Sequence, residues 1–229
     1  MKQLNVVILA AGKGTRMVSD TPKVLHAIAG QPILQHVISC AKALSASKII
    51  VVYGFGGEQV KEAFAHEDII WVRQAEQLGT GHAVQQVVAY LDVDATTLIL
   101  LGDVPLVDAI SCQQLLLKAQ DKLALLSFKK PDPSGYGRIV RNTQDKVIAI
   151  VEHKDASVEQ RSIDEVNTGI MAMPSRLLIS WLARLSNSNA QSEYYLTDIV
   201  GFAVQDGVDV DAELSLDKYA QFALNPAWN

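Results

Sequence analysis

Four short apolar runs restrict this chain to very few folds. Residues 5–10 (NVVILA), 48–53 (KIIVVY), 69–72 (IIWV) and 97–101 (TLILL) are rich in branched aliphatic side chains and show no regular polar alternation. A strand covered on one face alternates in polarity, whereas a strand covered on both faces reads as a continuous apolar run. Between these runs, segments 32–46, 57–65 and 81–91 carry apolar residues at helical spacing, as Ile33, Val37, Ile38 and Ala41 do. Such βα alternation predicts an α/β protein, Rossmann-like, with a doubly wound, mostly parallel sheet.

The pattern changes after residue 125. Residues 138–141 and 146–151 flank the polar stretch Asn142-Thr143-Gln144-Asp145 and predict a hairpin. NTGIMAM predicts another strand, and 175–185 and 196–205 predict helices. With no repeat, low-complexity stretch or linker, the expectation is one domain over residues 1–229 with a small β-rich insertion.

Composition excludes some classes of function. The net charge is −5 over 229 residues, which disfavours a general nucleic-acid binder. No run reaches the ~20 apolar residues of a membrane span, and the N-terminal run is too short for a secretory leader. Cys40 and Cys112 suit neither a disulfide framework nor a zinc site. Both fall in helix-like patterns and are expected as buried thiols in a cytoplasmic protein.

In doubly wound sheets ligands bind beyond the carboxyl ends of the strands, so the loops after the apolar runs carry the chemistry. The first run leads into LAAGKGTR. Its spacing is neither that of a Walker loop nor that of a dinucleotide fingerprint, whose third glycine would stand at Met17. The small residues Ala10, Ala11, Gly12 and Gly14 allow close backbone approach to a ligand. Lys13, Arg16 and Lys23 add positive charge, so an anion is expected, although a tight turn with solvated cations has the same composition. Asp103, in LILLGDVPL, stands at a buried strand end where a carboxylate needs a partner. A divalent ion suits that position, and so does capping of the next helix. QAEQLGTGHA places Gly79, Thr80 and Gly81 at a helix start, where N–H groups suit a phosphate or the edge of a base. His82 is expected as a packing residue. Glu152, Asn167 and Gly137 are polar or small residues near strand ends, and Glu193, Tyr194 and Tyr195 precede a helix for which Thr197 is the expected cap.

Together, LAAGKGTRM, PKVL, QAEQLGTGHA, GDVPL, GYGRI, VEHKDA, NTGI and NAQSEYYLTDI occur in order over about residues 4–207. In this the chain resembles the bacterial N-acetylglucosamine-1-phosphate uridylyltransferases, the pyrophosphorylase halves of bifunctional enzymes. The resemblance implies the nucleotide-diphospho-sugar transferase type of fold. It also implies Mg²⁺-dependent formation of UDP-N-acetylglucosamine and pyrophosphate from UTP and N-acetylglucosamine 1-phosphate, a cytoplasmic step toward peptidoglycan and lipopolysaccharide.

By the same resemblance, Leu9, Ala10, Ala11 and Gly12 contact uridine, and Gln74, Gly79 and Thr80 read uracil. Lys13, Arg16 and Lys23 face the triphosphate, with Arg16, Lys23 and Asp103 catalytic. Leu101 and Gly102 contact the substrate beside Asp103, which binds both substrate and metal. Gly137, Glu152 and Asn167 bind the sugar. Leu101 stands where the family usually has tyrosine, and Ser192 where it has glycine. In place of the family's EGVN segment the tail reads FALNPAWN, and counting from EYYLTD puts Asn225 in the place of the second metal ligand. The chain ends where the family's left-handed β-helix acetyltransferase domain begins, so that domain is expected to be absent and the protein monomeric. The rival readings are a nucleotidyltransferase for another sugar or nucleotide, and a UDP-sugar-binding domain with impaired catalysis. A nicotinamide dehydrogenase is disfavoured by the missing third glycine and ribose-binding acid.

Overall fold

The structure, a computed structural model, describes residues 3–12, 21–54 and 56–215. Its first half comprises β1 (Leu4–Ala10), β2 (Ala27–Ile28), β3 (Gln31–Pro32), α1 (Ile33–Ala43), β4 (Lys48–Tyr53), α2 (Glu58–Ala63), β5 (Ile70–Arg73), α3 (Thr80–Gln85), β6 (Thr96–Leu101) and α4 (Ala109–Lys118). The second half comprises β7 (Leu123–Lys129), β8 (Arg138–Arg141), β9 (Val147–Val151), α5 (Val158–Arg161), β10 (Glu165–Pro174), α6 (Ser175–Leu182), α7 (Asp198–Gln205) and β11 (Val210–Leu214).

The main sheet has the order β11-β7-β10-β6-β1-β4-β5. Strands β6, β1, β4 and β5 are mutually parallel, and β10 runs antiparallel to both of its neighbours, β6 and β7. Alternation within the apolar runs sends successive side chains to opposite faces. Val6, Ile8, Ile49 and Val51 pack against α1, α2 and α4 through Leu34, Val37, Val60 and Leu115. Val7, Ile50 and Val52 pack on the other face with Ala83, Val84, Trp181, Ile199 and Val200 from α3, α6 and α7. The predicted doubly wound, mostly parallel sheet is therefore present, with a core on each side.

Four features differ from the sequence expectation. The helix predicted over 81–91 ends at Gln85 and is followed by a short 3-10 turn at Val88–Tyr90. β7, α4 and β11 are additional elements. β10 belongs to the main sheet, so the β-rich insertion reduces to the β8–β9 hairpin, which bridges to β10 between Arg138 and Val166. The residue that caps α4 is Asp108, whose Oδ1 accepts the Ser111 N–H at 2.8 Å, and this leaves Asp103 out of that role. Cys40 on α1 and Cys112 on α4 are both buried thiols, as expected.

Candidate active site

Because β1, β4, β5 and β6 are parallel, their carboxyl ends share one edge, and the unusual loops meet there. A cleft of about 540 Å³ opens at this edge. Leu9, Ala10, Ala11 and Gly12 line it from the end of β1, and Leu101 and Asp103 from the end of β6. The Gly102 N–H donates to Leu9 O at 2.8 Å, which ties these two ends together. Lys23 enters from the segment before α1, and its Nζ lies 3.1 Å from Asp103 Oδ2. The Asp103 side chain is 41% exposed, so the carboxylate is open to the cleft rather than sealed in the sheet as its position in the sequence suggested.

Gln74, Gly79 and Thr80 line the cleft beyond β5. Gln74 is buried; its Nε2 donates to Gly79 O at 3.1 Å and lies 3.1 Å from His82 Nδ1. His82 thus supports Gln74 and packs near Tyr194, consistent with its expected packing role. Gly79 has φ +106°, in backbone space essentially restricted to glycine. The Gly81 N–H, expected to face a ligand, is instead donated to Tyr194 O at 2.8 Å. Val24, Gln77, Ala83 and Glu193 also line the cleft. Gln77 was not singled out from the sequence, although it lies inside QAEQLGTGHA.

Gly137, Glu152 and Asn167 form a second, contiguous cluster. The Asn167 N–H donates to Gly137 O at 2.9 Å, and a Cβ on Gly137 would lie 3.3 Å from Glu152 Oε1. None of these three residues lines the cleft itself, and Asn167 opens a bulge in β10, where the register shifts between Asn167 and Met171. The Thr168 hydroxyl donates to Leu126 O at 2.8 Å, and the Gly169 N–H donates to Asn167 Oδ1 at 3.1 Å. Gly169, at φ +85°, lies so near Leu101 that a Cβ would be 2.9 Å from its Cδ1. Bulges of this kind re-aim the chain beside sites, and this one sets Gly169 against Leu101 at the end of β6.

Burial raises the Glu152 carboxyl above its ordinary range, with the hydrogen bond from the Thr197 hydroxyl acting in the opposite direction. That bond, 2.9 Å to Oε1, overturns the expected role of Thr197. Its side chain makes no capping bond at the start of α7 and serves Glu152 instead. Of the remaining expected site residues, Lys13, Arg16 and Asn225 lie outside the described residues.

Residues 6–163 match the family model of the MobA-like NTP transferase domain. The chain belongs to that family. Among curated proteins, this MobA-like domain is 62% identical over 223 residues to the bifunctional protein GlmU of Methylobacillus flagellatus, covering 97% of this chain and 48% of that protein. It is 56% identical to the bifunctional protein GlmU of Cellvibrio japonicus, covering 92% of this chain and 47% of that protein. The chain therefore spans about half the length of the curated relatives it matches. Solved structures share the fold. A UDP-glucose pyrophosphorylase complexed with UDP-glucose aligns over 97% of both chains with a TM-score of 0.76 at 17% identity. A putative glucose-1-phosphate thymidylyltransferase from Bacillus anthracis, in complex with a sucrose, aligns over 93% of this chain and 87% of the other with a TM-score of 0.75 at 21% identity.

Proposed function

We propose that this MobA-like domain is a uridylyltransferase, which makes UDP-N-acetylglucosamine and pyrophosphate from UTP and N-acetylglucosamine 1-phosphate. The observation that supports this most is the junction of two chemically different surfaces at Leu101 and Gly169. On one side is a cleft lined by backbone and by Lys23 and Asp103; on the other is a polar cluster of Gly137, Glu152 and Asn167. A nucleoside triphosphate suits the first surface and an N-acetylated sugar the second. The choice of UTP as the nucleotide and N-acetylglucosamine 1-phosphate as the sugar phosphate is supported by the motifs that resemble the N-acetylglucosamine-1-phosphate uridylyltransferases.

In this reading Leu9–Gly12, Gln74, Gly79 and Thr80 hold the uridine. Lys13, Arg16 and Lys23 hold the triphosphate. A phosphate oxygen of the sugar phosphate attacks the UTP α-phosphorus in line; the new P–O bond forms as the α–β bridging bond breaks, and its electron pair leaves with pyrophosphate. The chain contributes by fixing the two substrates in line and by placing cations where charge accumulates. Glu152 accepts hydrogen bonds from the sugar.

Mg²⁺ suits the donor set. Among the described residues no group of three or more His, Cys, Asp or Glu could hold a metal. Magnesium, however, is often held by one or two carboxylates together with waters and substrate phosphates. Asp103 is an exposed hard-oxygen ligand facing the cleft, and Asn225 is the second candidate. When bound, the ion would offset phosphate charge. Among the described residues no helix is long and apolar enough to cross a membrane, and the cytoplasm, where UTP is available, is the proposed compartment. The domain is proposed to act as one catalytic unit and as a monomer.

The test is pyrophosphate release from UTP and N-acetylglucosamine 1-phosphate, with and without Mg²⁺. Faster release with dTTP, CTP or GTP, or with another sugar phosphate, would replace this reading by a related transferase. Binding of UDP-N-acetylglucosamine without any release would replace it by a binding domain.

A further inference from the structure

The segment between α6 and α7 has no regular secondary structure, yet it is densely bonded. Asn189 Oδ1 accepts the N–H groups of Gln191 and Glu193, each at 3.2 Å, and winds residues 189–193 into a compact turn. One side of this segment is held by the loop after β9. Asp155 Oδ1 accepts the Ala190 N–H at 2.9 Å, and its Oδ2 accepts the Tyr195 hydroxyl at 3.0 Å. The other side grips the start of α3. Tyr194 N–H donates to Leu78 O at 2.7 Å, Tyr194 O accepts the Gly81 N–H at 2.8 Å, and Leu196 N–H donates to Thr80 Oγ1 at 3.2 Å. The fit is close: a Cβ on Gly79 or Gly81 would lie 2.6 Å or 2.8 Å from Tyr194 O. Gly79 and Thr80 line the cleft, whereas Asp155 does not.

We propose that Asp155 is a positioning residue: it clasps the 189–197 segment and so couples the Glu152 loop to the cleft-facing start of α3. The coupling to UTP rests on the function proposed above; the clasp itself does not. The chemistry calls for aspartate. Two carboxylate oxygens accept two hydrogen bonds from two different donors at once, whereas an asparagine side chain offers only one acceptor oxygen. The second donor is dependable, because burial pushes the Tyr195 hydroxyl up to about 12 and keeps it protonated through the neutral range. Gln191 Nε2 donates to the same oxygen at 2.9 Å and fixes its orientation. With the clasp released, residues 194–196 lose their outer support, and the seats of Gly79 and Thr80 move with them.

The test uses the full chain with Asp155→Asn, Tyr195→Phe and the double variant. Amide hydrogen exchange at Gly81 and Leu196 reports the clasp without any ligand, and calorimetry with UTP reports the coupling. Exchange at both amides should accelerate about tenfold. The dissociation constant for UTP should rise about fivefold in each single variant. The double variant should be no worse than the weaker single, since both break one clasp. Unchanged exchange at Gly81 would overturn the clasp. Faster exchange with unchanged UTP affinity would overturn the coupling, as would independent, multiplicative losses in the double variant. A wild-type protein that failed to bind UTP would overturn the proposed function and the coupling with it, and the exchange data would still decide the clasp.

Discussion

Gly79→Ala is a severe perturbation of the cleft that leaves its chemistry untouched. At φ +106° and ψ 173° the backbone of Gly79 occupies space that costs other residues about 1–3 kcal/mol. The added Cβ would also sit 2.6 Å from Tyr194 O and 3.0 Å from Tyr194 N and Glu193 Cβ. Two of those atoms are backbone and cannot rotate aside, so overpacking adds about 1–3 kcal/mol. The combined cost of about 2–6 kcal/mol is a large part of the 5–15 kcal/mol that holds a typical domain together. Relief would come from separating 78–81 from 194–196, which also displaces Gly79 O from Gln74 Nε2, now 3.1 Å away. For a chain of this size the melting temperature should fall by roughly 5–20 °C, and the affinity for UTP at least about tenfold. Gly201→Ala in α7 is the reference. Nothing lies within 4 Å of its Cβ, so alanine should stabilise by about 0.5–1 kcal/mol. Differential scanning fluorimetry and UTP calorimetry read both variants. A Gly79→Ala protein that melts within a degree of wild type and binds UTP equally well would refute the reasoning.

Asp103→Asn should lower pyrophosphate release on the order of 10²-fold with little change in melting temperature; near wild-type turnover at limiting Mg²⁺ would remove Asp103 from the metal site. Glu165→Gln should cost about 2 kcal/mol at neutral pH in urea unfolding, since it breaks the two 2.8 Å bonds from Arg141. Burial works against the Glu165 carboxylate, but the bonds from Arg141 and Ser127 outweigh it and lower its pKa. Its stabilisation is therefore present above the unfolded value of about 4.3 and is lost as the pH falls through the lower folded value, so the variant's deficit should shrink in acid. Glu152 has the opposite sign: with its pKa raised, its contribution is present below the unfolded value and lost as the pH rises through the folded one. Glu152→Gln should therefore be more stable than wild type at neutral pH and lose that advantage in acid, while raising KM for the sugar phosphate. Ser192→Gly should stabilise by about 1 kcal/mol, because Ser192 sits at φ +55°; an unchanged or lower melting temperature would show that the turn is unstrained.

The parts of the fold legible in the sequence are those with one periodicity and one environment. β4 is predicted without error because Ile49 to Tyr53 are all buried. Helix α4 is obscured because Ile110 and Leu117 are 69% and 71% exposed, which blurs the stripe made by Cys112 and Leu115. β11, Val210–Leu214, carries Asp211 and Glu213, whose charges are taken up by Lys118 on α4. Such pairing across 93 and 95 residues leaves no local trace. The same holds in the site. The motifs mark Lys23 and Asp103 separately, but their contact arises only when β1 and β6 lie side by side. The clasp at Asp155 depends on two loops 35 and 40 residues apart in the chain.

Several residues that break local rules lie around the candidate site, while Ala29, Ser45 and Asp145 hold left-handed backbone in turns elsewhere. Thr197 has the sequence of a helix cap, yet its backbone, at φ −61° and ψ −21°, is already helical, and a capping residue needs an extended conformation to aim its oxygen at the first turn. Its hydroxyl is turned to Glu152 instead. Ser192 holds a left-handed backbone, Gly79 one that suits only glycine, and β10 carries its bulge at Thr168–Ile170. Each departure weakens its own element, and the two cores flanking the sheet supply the stability that tolerates them. Ser192 and Gly79 therefore differ in kind. Glycine at 192 would remove strain while preserving the backbone path, so the 189–197 segment and the cleft should keep their geometry. Alanine at 79 would force a different path on the residues that face the ligand. An increase in stability at 192 without loss of UTP binding, beside a loss of both at 79, is what a site held by strained backbone requires.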